Sequence, residues 1–416
     1  MNIVFRFRGS ASLWLLAWAI PFAALIPPAQ AVETSPTLKQ AFKAAWARQP
    51  EARAARARRD AVGARRQTAD SWLAEPPSLD VSYKTDQLNH DQGSREYEVG
   101  LAMPLWLPGE RAGQRALAEV EGAALEWRLE SAQLRTAGEV REAWWSLALA
   151  RIDLEAAEAR RQNAERLAAD VARRVKAGDL SRADGHQADA AVAGAVAEVA
   201  RSRGALAEAA KRLRSLTGVT VNGAVSAATE PTPSQANEGD VHPLLKDMAA
   251  RVETARAARN LAGVQSRANP ELRLAATRDR AAAGDAWSNT LTLGVRIPFG
   301  SDSRQRVRVA TATAEETEVE AQLAVEQERI AAEIDAARQR EEAARAWLAA
   351  AEQRAQLANE SRGFFEKSFR LGETDLPTRL RIEGEAAEAE REAARARVEL
   401  AASVSALRQA LGLLPE

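Results

Sequence analysis

The sequence predicts a mainly α-helical chain with four short membrane-type β-strands, built as two copies of one helix–hairpin–helix unit. Three observations predict it: Pro and Gly landmarks recurring at a constant offset, two proline-free helical stretches of about 68 residues, and four segments of alternating polarity.

At the N-terminus, residues 1–31 read as an export signal. Arg6 and Arg8 form a short basic region, Leu13 to Ile26 an apolar stretch, and Ala29-Gln30-Ala31 a small-x-small cleavage pattern. Pro21, Pro27 and Pro28 and the shortness of the apolar run argue against a membrane anchor. The 416 residues include no cysteine, which excludes a lipidated N-terminal Cys, a disulfide framework and a thiolate metal site. Without Arg6 and Arg8, 55 basic residues stand against 58 acidic ones, a net charge of −3 with no electrostatic footprint for nucleic acid. No later segment approaches the roughly 20 apolar residues of a spanning helix. An exported chain of this kind is periplasmic, secreted, or inserted in an outer membrane as strands.

The duplication organises the rest. Pro50 matches Pro243 and Pro77 matches Pro270 at a spacing of 193; Gly100 matches Gly294, Pro104 matches Pro298, Gly178 matches Gly372 and Gly218 matches Gly412 at 194. One unit spans 32–218 and the second 242–416; residues 219–241, with Pro231, Pro233 and Gly239, read as the connector. Each unit opens with a helical stretch, Thr37 to about Trp72 or His242 to about Ala268. Two β-like segments follow, then a long helix after Pro104 or Pro298, a turn at Gly178 or Gly372, and a second helix to Gly218 or Gly412. At 1.5 Å per residue the long helix spans on the order of 100 Å. In the first unit the two shorter stretches (about 36 and 37 residues) together match it, which predicts that they stack end to end beside it in a wall of uniform height.

The strands carry one apolar face each. Leu79, Val81 and Tyr83 oppose Asp80, Ser82 and Lys84; Val99 and Leu101, with Tyr97 and Met103, oppose Glu96, Glu98, Gly100 and Ala102. In the second unit Leu272 and Leu274 oppose Arg273 and Ala275, and Leu291, Leu293 and Val295 oppose Thr290, Thr292 and Gly294. Segments of about 8–10 residues approach the 9–11 of a tilted membrane strand, and Trp72, Trp106 and Trp287 fall at their ends as an interfacial belt would. The alternative, hairpins packed on a soluble core, lacks the core, because the flanking helices are too long. Four strands cannot close a barrel and lipid permits no open edge, so the membrane reading requires several protomers; a homotrimer supplies twelve strands. The loops Asp86 to Arg95 and Arg280 to Trp287 then face the outside.

No catalytic constellation is present. His90, His186 and His242 are far apart, and Glu315-Glu316 and Glu341-Glu342 read as solvated helix faces. No phosphate loop, cofactor motif or soft-metal cluster occurs. The expectation is a non-enzyme without cofactor that takes its energy from a partner.

The duplication, the strand ends Met103-Pro104-Leu105-Trp106-Leu107-Pro108-Gly109 and Ile297-Pro298-Phe299-Gly300, and the turns around Gly178 and Gly372 resemble the TolC family of outer-membrane factors over essentially the whole chain. The resemblance implies a TolC-like trimeric channel in the outer membrane of a Gram-negative bacterium, with a 12-stranded barrel in lipid and a long α-helical tunnel in the periplasm. It implies docking of the helical tips, Gly178, Asp179, Leu180 and Ser181 with Gly372, Glu373, Thr374, Asp375 and Leu376, on a periplasmic adaptor and an inner-membrane RND-type pump. Leu107-Pro108-Gly109-Glu110-Arg111, the short length and the missing Cys are most similar to the cobalt–zinc–cadmium resistance (CzcC-like) subgroup; multidrug and type I secretion ducts share the architecture. The family's acidic periplasmic gate lies just past the second turn, where this chain has Thr378 and Arg381, with Asp184 at the matching place in the first unit. An acidic ring would have to come from Glu373, Asp375 or Glu383. Readings from other classes are a periplasmic adaptor, which should have one hairpin and a soluble sandwich, and a coiled-coil adhesin or rod, which should lack regular β-hairpins.

Overall fold

The computed structural model describes residues 37–89, 91–220, 229–233, 242–300 and 302–416; the expected signal segment, His90 and most of the expected connector lie outside them. Thr37 opens helix α1 (Leu38–Arg48) with a capping box to Gln40. The chain then breaks where one helix was expected. Pro50 has no N–H to donate and forces Gln49 into an extended conformation (ψ 140°), so α2 (Pro50–Ala69) starts afresh. Strands β1 (Ser78–Thr85) and β2 (Arg95–Pro104) lead to α3 (Glu110–Ala177) and α4 (Arg182–Thr217). The second unit repeats the order with α5 (Pro243–Val264), β3 (Glu271–Arg280), β4 (Ser288–Arg296), α6 (Asp302–Leu371) and α7 (Leu376–Ala410). Helix α5 stops at Val264, short of the expected Ala268, and opens with Pro243 in its first turn as α2 opens with Pro50.

The strands form one antiparallel sheet in the order β1-β2-β3-β4, joining the units through β2 and β3. The helices continue it as a curved wall. Near the sheet α2 and α5 flank α3, and α6 lies beyond α5; farther away α4 and α7 flank α3, and α6 lies beyond α7. The predicted end-to-end stacking is present, since α1 touches both α3 and α4. Its joint holds the main core: Trp144, Val140 and Ala137 of α3 bury against Leu38, Phe42 and Ala45 of α1, Leu213 of α4 and Val398 of α7. Elsewhere the helices meet through alanine. Ala351 and Ala355 of α6 pack on Ala389, Ala393 and Ala396 of α7, and the buried Ile330, Ala337, Ala344 and Ala351 recur every seven residues as in a coiled-coil seam. Small side chains let the backbones approach closely and keep the wall thin.

A buried ion network closes the joint. Glu230, on a connector segment the structure describes, receives Arg141 of α3 in a bidentate fork (Nη2–Oε1 2.8 Å, Nε–Oε2 3.0 Å). Arg408 of α7 approaches the same carboxylate at 3.3 Å and donates to the Pro231 carbonyl at 2.9 Å. Arg141 also donates to Gln409 Oε1 (2.7 Å) and to the Leu413 carbonyl (2.9 Å), so one guanidinium holds the connector and the C-terminal segment together. All three ionised side chains are buried. Removing the central carboxylate strands the buried Arg141 guanidinium and leaves Arg408 only Glu416 (3.1 Å) as a carboxylate partner: Glu230→Ala is expected to lower the unfolding free energy by about 3–5 kcal/mol, measured by loss of helical signal in denaturant.

Candidate functional site: an exposed apolar sheet and two helical tips

Register sets the sheet's chemistry. Leu79 pairs with Leu101, Leu101 with Leu274 and Leu274 with Leu293, giving an unbroken leucine rung across all four strands. Adjacent rungs run Val81–Val99–Ala276–Leu291 and Met103–Leu272–Val295, with Tyr83 and Tyr97 stacked at 4.9 Å above them. All twelve apolar positions named from the sequence therefore share one face. That face is open: Leu293 is 71% exposed, Val81 71% and Leu79 68%. A sheet folded for water would bury its apolar face on a core. The opposite face carries the charges and is largely open as well, with Arg273 facing Asp80 (3.5 Å) and Lys84 bonded to Glu96 (2.7 Å). Trp287 lies beside Tyr97 (5.8 Å) under the guanidiniums of Arg278 and Arg280 (5.0 and 5.1 Å), an amphipathic cluster at the end of the sheet away from the helices. At the other end Trp72 is exposed and the Trp106 indole donates to the Ser71 carbonyl. Among the described residues, no strand pairs with the outer edge of β1 or β4.

Beneath the sheet, Glu110 ties the two units together. This buried carboxylate at the start of α3 accepts from the Leu107 N–H (3.1 Å), from Gln265 (2.8 Å) and from Asn269 (2.8 Å). The sequence reading treated Glu110 only as part of a turn.

The two helical turns lie side by side at the far end. Gly178 (φ 89°) and Gly372 (φ 79°) end α3 and α6 in the left-handed conformation, with open space where a side chain would point. Ser181 opens α4 with a capping box to Asp184, and Asp375 opens α7 by accepting from the Thr378 N–H (3.1 Å). The Thr378 hydroxyl and then its backbone N–H hold the Asp375 carboxyl below the ordinary aspartate pKa. Val171, Ala188, Phe369 and Leu376 bury together between the turns, with Leu180 packed at their margin. Arg174 lies over the Phe369 ring (4.8 Å) and donates to the Phe369 carbonyl (3.0 Å). Leu376, expected among the exposed docking residues, is only 1% exposed; the first turn of α7 points it inward, so it holds the tips together. Phe369, not among the docking residues expected from the sequence, follows Phe364 and Phe365 in an aromatic run at the end of α6.

The gate candidates separate. Asp184 spends its carboxylate on the Ser181 N–H and hydroxyl (2.9 and 2.7 Å), and Arg381 pairs with Glu385 (2.6 Å). Glu383, named as a possible ring acid, is matched by Arg379 (3.1 Å) and Asn163 (3.2 Å). Among the described residues no group of three His, Cys, Asp or Glu side chains is placed to hold a metal ion.

The arrangement agrees with solved channels. The outer membrane protein VceC from Vibrio cholerae matches with a TM-score of 0.72 at 18% identity, over 90% of this chain and 96% of that one. The CmeC outer membrane channel of Campylobacter jejuni gives 0.73 at 15% (90% and 85%), and the open state of the MtrE outer membrane channel of Neisseria gonorrhoeae 0.67 at 16% (91% and 89%). The fold is that of the TolC-type channels. The model of the outer membrane efflux protein family matches residues 41–219, which is the first unit. Comparison with curated protein sequences finds no match.

Two predictions follow from these contacts. Leu376→Asp places a charge in the tip cluster; amide exchange should quicken around both turns while the sheet rungs keep their protection. At the start of α5, the His242 Nδ1 accepts the Leu244 N–H (3.2 Å), and burial lowers its pKa against the opposing pull of Glu333 and Glu326. The folded pKa then lies below the unfolded value of about 6.5, so the unfolded chain takes the proton first. Stability from this residue is complete above about pH 6.5 and falls as the pH drops below it. His242→Asn, which keeps an acceptor, should remove that part of the acid dependence in thermal unfolding.

Proposed function

We propose that the chain is the outer-membrane exit duct of a tripartite efflux system. Three copies close their sheets into a 12-stranded barrel in lipid, and their helical walls into a tunnel through the periplasm. The single observation that carries this reading is the sheet's uncovered apolar face bounded by two unpaired edges. Hydrocarbon would satisfy the face, and only another strand would satisfy the edges. The wall supports it: α3 alone, with 68 residues, spans on the order of 100 Å.

In this reading the duct performs no chemistry. Cargo enters between the tips and leaves through the barrel. The tips, with Gly178, Asp179, Leu180, Ser181, Gly372, Glu373, Thr374 and Asp375 outermost, dock on a periplasmic adaptor that couples the duct to an inner-membrane RND-type pump. For cargo we favour heavy-metal cations, on the similarity of the Leu107 to Arg111 turn to the CzcC-like subgroup; metal selectivity would then reside in the pump.

The test is fractionation of cells expressing the full chain. A trimer in the outer membrane that dissociates on heating is expected, and a soluble monomer would overturn the proposal. On the sheet, Leu293→Arg should cost about 2–4 kcal/mol of insertion near the bilayer centre and sharply reduce trimer, while Thr292→Arg on the other face should leave it near the parent level. At the tip, Gly178→Pro conflicts with a φ of 89° and removes the N–H bonded to the Val175 carbonyl. It should abolish efflux, read as sensitivity to a panel of metal salts and drugs, without loss of trimer.

A further inference from the structure

The charges of the sheet are unevenly shared between its faces. On the strands, the face with the leucine rung carries three charged residues, Arg95, Arg278 and Arg280. All are basic, and all stand in the two rungs farthest from the helices. Register sets Arg278 between Tyr97 and Asn289, and Arg280 directly opposite Arg95. The other face mixes signs, and each of its basic residues has a carboxylate. Lys84 meets Glu96 (2.7 Å), Arg273 meets Asp80 (3.5 Å) and Arg296 meets Glu271 (3.7 Å).

Arg95 is matched as well, by Asp86 (2.7 Å) and Asp91 (3.4 Å) of the loop between β1 and β2. Arg278 and Arg280 are not. Among the described residues neither guanidinium has an ion pair; Arg280 donates through Nε to the Gly93 carbonyl (3.1 Å), and Arg278 makes no side-chain hydrogen bond. The acids of their own hairpin are engaged elsewhere. Asp279 lies on the opposite face, paired with Glu96 and Ser288 in the ladder, and Asp285 accepts the Ala282 N–H (3.0 Å). What holds the two arginines is Trp287, whose ring centroid lies 5.0 and 5.1 Å from their guanidinium carbons. A ring face orients a guanidinium without using its N–H groups, so the donors stay available. Like charges on one face with no counter-ion repel, and an anion from outside the chain would relieve them.

Height along the sheet identifies the anion. Arg278 is four residues past the leucine rung on β3, about 14 Å along the strand, which a tilt of about 40° reduces to roughly 10 Å of height. The apolar band of an outer-membrane barrel is about 25 Å tall, so Arg278 reaches its margin and Arg280 passes it. We propose that Arg278 and Arg280, braced on Trp287, bind the phosphate of a glycolipid headgroup in the outer leaflet, with its acyl chains lying along the apolar rungs below. The inference rests on the membrane reading of the sheet given above, which puts this end outermost, and adds the lipid that the sheet selects there. Planar guanidinium forks suit phosphate oxygens, and the site is continuous with the lipid-facing rungs. A soluble anion would gain the first match and forgo the second.

The test uses the full-length trimer extracted in a neutral detergent and titrated with bisphosphorylated lipid A. Binding is read as lipid retained per trimer by native mass spectrometry and as a rise in the temperature at which the trimer dissociates. Dephosphorylated lipid A, and the parent lipid on Arg278→Gln, should each bind about tenfold more weakly, the loss of roughly one charge-assisted hydrogen bond. Arg278→Gln leaves no protein hydrogen bond broken, so its fold should persist; Arg278→Lys, which keeps the charge without the fork, should fall between it and the parent. Arg296→Gln, a basic residue on the opposite face, should bind as the parent does. Equal binding of the dephosphorylated lipid, full competition by inorganic phosphate, or an unchanged Arg278→Gln trimer would overturn the site and leave the channel reading standing. Failure of the parent chain to form a trimer in the outer membrane would overturn both.

Discussion

Backbone N–H and C=O groups lose several kcal/mol each when they enter hydrocarbon unpaired. Every large feature of this chain can be traced to that penalty. The sheet gathers its apolar side chains on one open side and most of its charges on the other, so lipid suits the first and water the second. The same sheet has two outer edges, one on β1 and one on β4. Their directions are opposite, so copies arranged in a ring would pair β4 with β1 antiparallel throughout. The helices then have no choice of position: each is the direct continuation of a strand, and the order α2, α3, α5, α6 beneath the sheet repeats the order of the strands.

Alanine is the second constraint. Helices that must follow neighbouring strands are brought closer than ordinary globular helices, and bulky seams would splay them. The heptad of Ile330, Ala337, Ala344 and Ala351 shows the outcome, a seam of small side chains with charged residues at its margins. Among the buried side chains, Trp144 at the joint of α1 and α4 and Phe369 between the tips stand where the wall changes partners.

Much of this was legible in the sequence, because the governing patterns are local. Alternation put all twelve named apolar strand residues on one face, and Pro and Gly anchors marked both units and both turns. What escaped depends on helix phase or on distant partners. Leu376 was read by its closeness to a turn, but one turn of helix decides whether a residue faces a partner or the core. Pro50 was used as a repeat marker, while its effect on Gln49 breaks the helix it marks. Glu383 looked like an available acid until Arg379 and Asn163 were brought to it. The Arg141–Glu230–Arg408 network joins residues separated by 89 and 178 positions, and no periodicity announces such a meeting.

That network also has a mechanical meaning. It sits near the middle of α3, where connector, C-terminal segment and both units are fastened at one height. From Arg141 the helix continues to Ala177 packed on α4 and α7, an arm of about 55 Å at 1.5 Å per residue. A rotation of about 6° at the fastening would carry the end of that arm roughly 6 Å. At that distance from the clamp, a small angular change at the waist would amount at the tips to a displacement as large as a helix turn.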